Sequence, residues 1–146
     1  MKKIVEFDFD VDTGVTTCFI TLGTKVYYGT AVCHPEDRDM LSEYTGNEIA
    51  HTRARIDMLQ DIRDNEIAPG LKALKHLESC IVTSQNYNRK AYESRMLRRQ
   101  IRKFQDDLVT INNVIADERK FLKDYIAAKD KIYTRLRIKK NEDKTD

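Results

Sequence analysis

LRRQIRKFQDDLVTINNVIADERKFLKDYIAAKDKIYTRL, residues Leu97 to Leu136, decides the fold. Leu97, Ile101, Phe104, Leu108, Ile111, Ile115, Glu118, Leu122, Tyr125, Lys129, Ile132 and Leu136 recur in alternating steps of four and three. Only Glu118 and Lys129 in that series are not apolar. This is a sustained heptad seam, the mark of a helix packed along its length against other helices. Neither Gly nor Pro occurs after Gly70, so nothing forces a break. At 1.5 Å per residue the seam would run about 60 Å, whereas a compact globule of this chain length is about 30–40 Å across. The helix must protrude, kink or be covered by another subunit. Thr110, Asn112 and Asn113 are poor helix formers and mark where a bend could fall.

The N-terminal third has a different period. Val5, Phe7, Phe9 and Val11 alternate with Glu6, Asp8 and Asp10, which reads as a strand with one wet face. Asp12-Thr13-Gly14 turns into a second strand, Val15 to Leu22, and Gly23-Thr24 turns into a third, Lys25 to Cys33. Short turns make the three antiparallel neighbours. His34-Pro35-Glu36-Asp37 closes the sheet and opens a short helix to Tyr44, with Gly46 as an interruption and Asn47 as the cap of a longer helix. Ala68-Pro69-Gly70 should break or kink that helix. Leu71, Leu74, Leu77 and Ile81 resume helical spacing, and the chain should reverse between Ile81 and Asn88. Lys139 to Asp146 is expected as a charged, frayed tail. The expected fold class is α+β: an antiparallel sheet over residues 1–34, then a long kinked helical hairpin over 35–146, one structural domain overall, assembled as a homodimer or larger homo-oligomer.

Composition bounds the function. Charged residues make up 34% and nearly balance, at a net +2, so no polyanion or membrane surface is demanded. No apolar run is long enough to span a membrane, and Met1-Lys2-Lys3-Ile4 shows no signal-peptide pattern. Cys18, Cys33 and Cys80, unpaired by spacing, are expected as reduced thiols in a cytoplasm. His34, His51 and His76 fall in different elements, and neither HExxH nor CxxC occurs. Cys33-His34 beside Asp37 offers metal-ligand types, but adjacent strand side chains point apart. Asp8, Asp10 and Asp12 could hold a divalent cation, but suit the wet edge of a sheet better. No metal, no cofactor and no catalytic residue is expected, because no nucleophile–base pair can be argued.

The densest chemical signal is cationic. Arg89, Lys90, Arg95, Arg98, Arg99, Arg102 and Lys103 crowd the start of the long helix. Arg95 with Arg99 and Arg98 with Arg102 are i,i+4 pairs, each projecting from one face. Arg grips phosphate in bidentate fashion. Asn86, Tyr87, Asn88 and Tyr92 stand alongside, with Tyr able to stack on a base and Asn able to read one. These eight residues, Arg95, Arg98, Arg99, Arg102, Asn86, Tyr87, Asn88 and Tyr92, form the first candidate ligand site. Asn113, Arg119, Lys131 and Arg135 form a thinner second one. The competing reading is a solvated basic face paired with Asp57, Asp61 and Asp64 of the antiparallel helix. Near-neutral balance and interspersed acids argue against duplex nucleic acid.

Two segments carry a resemblance. Tyr28-Gly29-Thr30-Ala31-Val32-Cys33-His34-Pro35-Glu36-Asp37 closes the sheet, and Gly46-Asn47-Glu48-Ile49-Ala50 with Arg53-Ala54-Arg55 opens a helix. With the layout of a sheet followed by two long kinked helices, they resemble the first type of Thoeris anti-defence sponge, small proteins of phages infecting Gram-positive bacteria. The resemblance implies a non-enzymatic, oligomeric protein of the host cytoplasm. It implies that cyclic ADP-ribose isomers made by bacterial TIR enzymes are bound and sequestered unchanged, with cyclic trinucleotides as a further ligand class. The alternative is a helical module that docks on a host or viral protein.

Overall fold

The computed structural model describes residues 2–33, 43–82 and 87–145. Strands β1 (Lys3–Asp10), β2 (Val15–Leu22) and β3 (Lys25–Val32) form one antiparallel sheet in the order β1-β2-β3. Helix α1 (Glu43–Ile62) passes through a π-helical segment, Arg63–Ile67, into α2 (Ala68–Val82); α3 follows over Tyr87–Thr145. The architecture is α+β. The short helix expected from residue 35 and the reversal at residues 83–86 lie outside the described residues.

Turn chemistry sets the sheet. Asp10 Oδ1 accepts from the N–H groups of Asp12 and Thr13 at 3.0 and 3.4 Å, while Gly14 takes φ 70° and donates to the Asp10 carbonyl at 2.8 Å. Gly23, at φ 65°, supplies the first central position of the two-residue β2–β3 turn. Register follows, with Val5 opposite Ile20, Phe7 opposite Cys18, Tyr27 opposite Ile20 and Gly29 opposite Cys18. These residues share one face, on which α1 packs.

The chain divides into two compact units. The first comprises residues 1–58 and 117–146, the second residues 59–116. The boundary runs through α1 and α3 because the sheet recruits only the start of one and the end of the other. The core of the first unit is Cys18, Ile20, Tyr27, Ala31, Ala50 and Ala54, edged by Val5, Leu22, Ile49 and Met58. Small residues make it possible: a Cβ on Gly29 would overlap the Ala50 carbonyl oxygen and the Ala54 nitrogen. Gly46 does not interrupt a helix but lies inside α1, where a Cβ would fall 2.6 Å from Thr16 Oγ1. It is a packing glycine, and Asn47 accordingly sits within the helix rather than capping it. Phe7 and Phe9 stay exposed although they share the packed face. The opposite sheet face carries exposed Ile4, Val26, Tyr28 and Val32.

In the second unit, the helical hairpin is antiparallel. Gly70 of α2 lies against Phe104 of α3, and Arg63 Nη1 donates to Asn112 Oδ1 at 3.3 Å. Pro69 does not break the helix; the irregularity falls just upstream. There the Ala68 N–H donates to the Arg63 carbonyl, five residues back. Pro has no N–H, and in an α-helix its ring would strike the carbonyl four residues back, that of Asn65. The wider turn relieves that contact. The long helix is not interrupted at Thr110–Asn113; α3 continues to Thr145, through the expected tail. Along its seam Ile101, Ile111 and Ile115 are buried, and Leu97, Phe104, Leu108, Glu118, Leu122, Tyr125 and Lys129 are half-buried; Ile132 and Leu136 are exposed.

Candidate functional site: a cationic cleft in the sheet-bearing unit

A cleft of about 390 Å³ opens at one end of the first unit. Gly14 and Thr16 come from the first turn and β2, while Ala31, Val32 and Cys33 come from the end of β3. The first turns of α1 contribute Thr45, Gly46, Ile49 and Arg53. Helix α3 contributes Ile126, Lys129, Asp130, Tyr133, Thr134 and Arg137. The size lies in the range of small-molecule sites.

Local structure fixes each wall. The Cys33 N–H donates to the Gly14 carbonyl at 3.0 Å, tying the end of β3 to the first turn. Gly46 lets α1 approach Thr16 on β2. Arg53 Nη1 donates to the Thr30 carbonyl at 2.6 Å, which anchors its guanidinium at the edge of the sheet. On α3, Lys129, Tyr133 and Arg137 follow at i, i+4 and i+8 and so rise along one side of the helix. Lys129 Nζ lies 5.4 Å from the centroid of the Tyr125 ring, a cation–π contact that steadies the ammonium at the cleft wall.

The lining is amphipathic. Ile49, Val32 and Ile126 supply apolar surface, and Tyr133 adds an aromatic ring. Thr16, Thr45 and Thr134 add hydroxyls, of which Thr16 and Thr45 are buried. Among the described lining residues, Arg53, Lys129 and Arg137 stand with one carboxylate, Asp130. Such a lining attracts an anion, and Asp130 accepts hydrogen bonds from ligand hydroxyl or amine donors.

Behind the cleft, the sheet-facing side of α1 holds a second polar group of contacts. Arg55 Nη2 donates to Glu118 Oε2 at 2.8 Å. His51 meets the ring of Phe7 edge-on at 6.0 Å, and its Nε2 is buried with no hydrogen-bond partner among the described residues. Burial, followed by the charges of Arg55 and Lys3, holds its pKa below the ordinary value. Burial likewise pushes the Cys18 thiol up, so this cysteine is a core residue rather than a nucleophile.

The residues singled out from sequence lie on α3 or outside the described residues. Arg95, Arg98, Arg99 and Arg102 are exposed on α3 within the second unit. Tyr87, Asn88 and Tyr92 belong to the first turns of α3, and Asn86 lies outside the described residues. Asn113, Arg119, Lys131 and Arg135 are exposed. Arg95, Arg98, Arg99, Arg102, Asn113, Arg119, Lys131 and Arg135 are not among the residues that line the cleft. Of the acids set against the Arg cluster, Asp64 is held by Arg63 Nε at 2.8 Å, and Asp61 Oδ1 accepts from Asn65 Nδ2. A signal for the cleft did exist, since Glu118 and Lys129 are the two polar residues of the seam. The first holds Arg55 and the second lines the cleft.

No protein-family model matches the chain, and no curated protein or solved structure shows significant similarity to it. No helix among the described residues is long and apolar enough to cross a membrane.

Proposed function

We propose that the protein binds a small phosphorylated nucleotide in this cleft and holds it without altering it, sequestering a signal in the cytoplasm of a bacterial host. The observation that carries the reading is the convergence of Arg53, Lys129 and Arg137 with Tyr133 around one nucleotide-sized space. Cations meet phosphate, the ring stacks on a base, and Asp130 and the threonines take ribose hydroxyls. Binding without turnover is what the resemblance implies. The segments that resemble the Thoeris anti-defence sponges also contribute to the lining, through Ala31, Val32, Cys33, Gly46, Ile49 and Arg53. A cyclic ADP-ribose isomer is therefore the first ligand to test, and a cyclic trinucleotide the second.

The exposed Arg95, Arg98, Arg99 and Arg102 favour a second reading, a basic helical face that docks on an acidic host or viral protein. Calorimetry with a cyclic ADP-ribose isomer separates the two. The wild type should bind, and Lys129→Ala with Arg137→Ala should lose two charge-assisted contacts of roughly 1.5–3 kcal/mol each, a hundredfold or more in affinity. Heat denaturation should return the nucleotide intact. A cleavage product that grows with time would make the protein an enzyme. No nucleotide binding, together with a co-purifying protein lost on Arg98→Ala and Arg102→Ala, would favour docking.

A further inference from the structure

The three cysteines stand in different surroundings: Cys18 is buried, Cys33 is half-buried and Cys80 is exposed. Cys80 belongs to the last turn of α2, in the second unit. His76 precedes it by four residues and so projects from the same side of the helix. Both side chains are exposed, and Cys80 Sγ lies 3.8 Å from His76 Nε2. Zinc binds thiolate sulfur at about 2.3 Å and imidazole nitrogen at about 2.0–2.1 Å, so a tetrahedral ion holds two such donors roughly 3.6 Å apart. Opening the angle at the metal to about 120° spans the observed 3.8 Å. The helix therefore sets this pair at chelating distance before any metal arrives.

We propose that His76 and Cys80 form a surface site for a borderline-soft divalent cation, zinc above all. Imidazole and thiolate are the donors such ions prefer, whereas calcium and magnesium take oxygen ligands. His76 Nε2 gives one electron pair to the metal. The Cys80 thiol releases its proton to solvent, and the thiolate gives the second pair. The same i,i+4 spacing puts two histidines of one helix on a single zinc in HExxH proteins. Among the described residues no group of three His, Cys, Asp or Glu could hold a metal ion. Water therefore fills the remaining positions, and the ion is an exchangeable one rather than a structural core. Ligation ties two successive turns of α2 together, so metal that binds only the folded chain stabilises it by mass action. His76 and Cys80 are not among the residues that line the cleft, and the site does not depend on what the cleft binds.

The test uses the full chain, kept reduced with a phosphine, and cobalt(II) as a spectroscopic stand-in for zinc. Cobalt should give a sulfur-to-metal charge-transfer band that saturates at one equivalent, and zinc should then bleach it. Cys80→Ser should abolish the band. His76→Ala should weaken binding by more than about tenfold, since even an outer-shell partner of a metal is worth that much. Both changes are at exposed positions, and circular dichroism should show the helix content of each variant unchanged. Alkylation followed by peptide mapping should show zinc protecting Cys80 while the rate at Cys33 stays the same. Zinc should also raise the Tm of the wild type and not that of Cys80→Ser. A wild type without the band, a band that survives Cys80→Ser, or affinity indifferent to His76→Ala would each overturn the proposal.

Discussion

Gly29 of β3 and Ala54 of α1 are in backbone contact: a side chain at Gly29 would occupy the space of the Ala54 nitrogen and of the Ala50 carbonyl oxygen. The helix can lie this close to the sheet because α1 presents Gly46, Ala50 and Ala54 in successive turns. Neither backbone atom can swing aside. Gly29→Ala should therefore cost about 3 kcal/mol or more, at the upper end of overpacking. Chemical denaturation would measure it. The Cys18 thiol, fully buried behind Gly29, should become open to alkylation in the variant.

Gly70 makes a softer contact. A Cβ there would fall 2.5 Å from Cε1 of Phe104, a ring that can shift. Alanine gains up to about 1 kcal/mol of helix propensity over glycine, against an overpacking cost of about 1–3 kcal/mol. Gly70→Ala alone should be mildly destabilising. In a Phe104→Leu background the same change should become neutral or stabilising, and a double-mutant cycle should return a coupling of about 1–2 kcal/mol.

His51 gives the fold a pH dependence of known sign. Its native pKa lies below 6.5, so the unfolded chain takes up the proton first as pH falls. Stability is then complete above the unfolded value and declines as pH drops through about 6.5 toward the depressed native pKa. Arg55 and Lys3 oppose protonation, while Glu48 and Glu118 favour it less strongly. Thermal melts from pH 7.5 to 5.5 should show a falling Tm. His51→Gln should flatten that slope, whatever its effect on stability at neutral pH.

The Arg cluster and the cleft predict opposite outcomes for ligand affinity. Arg98 and Arg102 are exposed, and surface changes shift stability by no more than about 0.5 kcal/mol each. With the ligand in the cleft, Arg98→Ala/Arg102→Ala should leave both melting temperature and nucleotide affinity unchanged in calorimetry. A loss of affinity as large as that expected for Lys129→Ala/Arg137→Ala would move the site onto the exposed face of α3.

Local periodicity made much of the fold legible. Alternation in Val5–Val11 and the turn glycines 14 and 23 place the strands to within a residue. The heptad seam from Leu97 gives the long helix. Gly46 misled because a glycine inside a helix reads as a break until Thr16, thirty residues away, is seen against it. The cleft was illegible for the same reason, since it joins Thr16, Arg53 and Arg137 through tertiary contact alone. On α3 the sequence drew attention to Lys131 and Arg135. Each stands two positions from a cleft cation, Lys129 or Arg137, and so about 200° around the helix. Charge could be read from the sequence; azimuth depended on which side the sheet covered.

The bond from Ala68 back to Arg63 stores one residue. A turn closed five residues back holds one more than a turn closed four back, so α1 and α2 are a single α-path with a spare residue looped into it at Arg63–Ile67. The chain therefore tolerates a change in its own length there. Deleting Asn65 and replacing Pro69 by Ala would draw the slack out. Leu71 and everything after it would keep its rotational phase, and the hairpin would close on an uninterrupted helix.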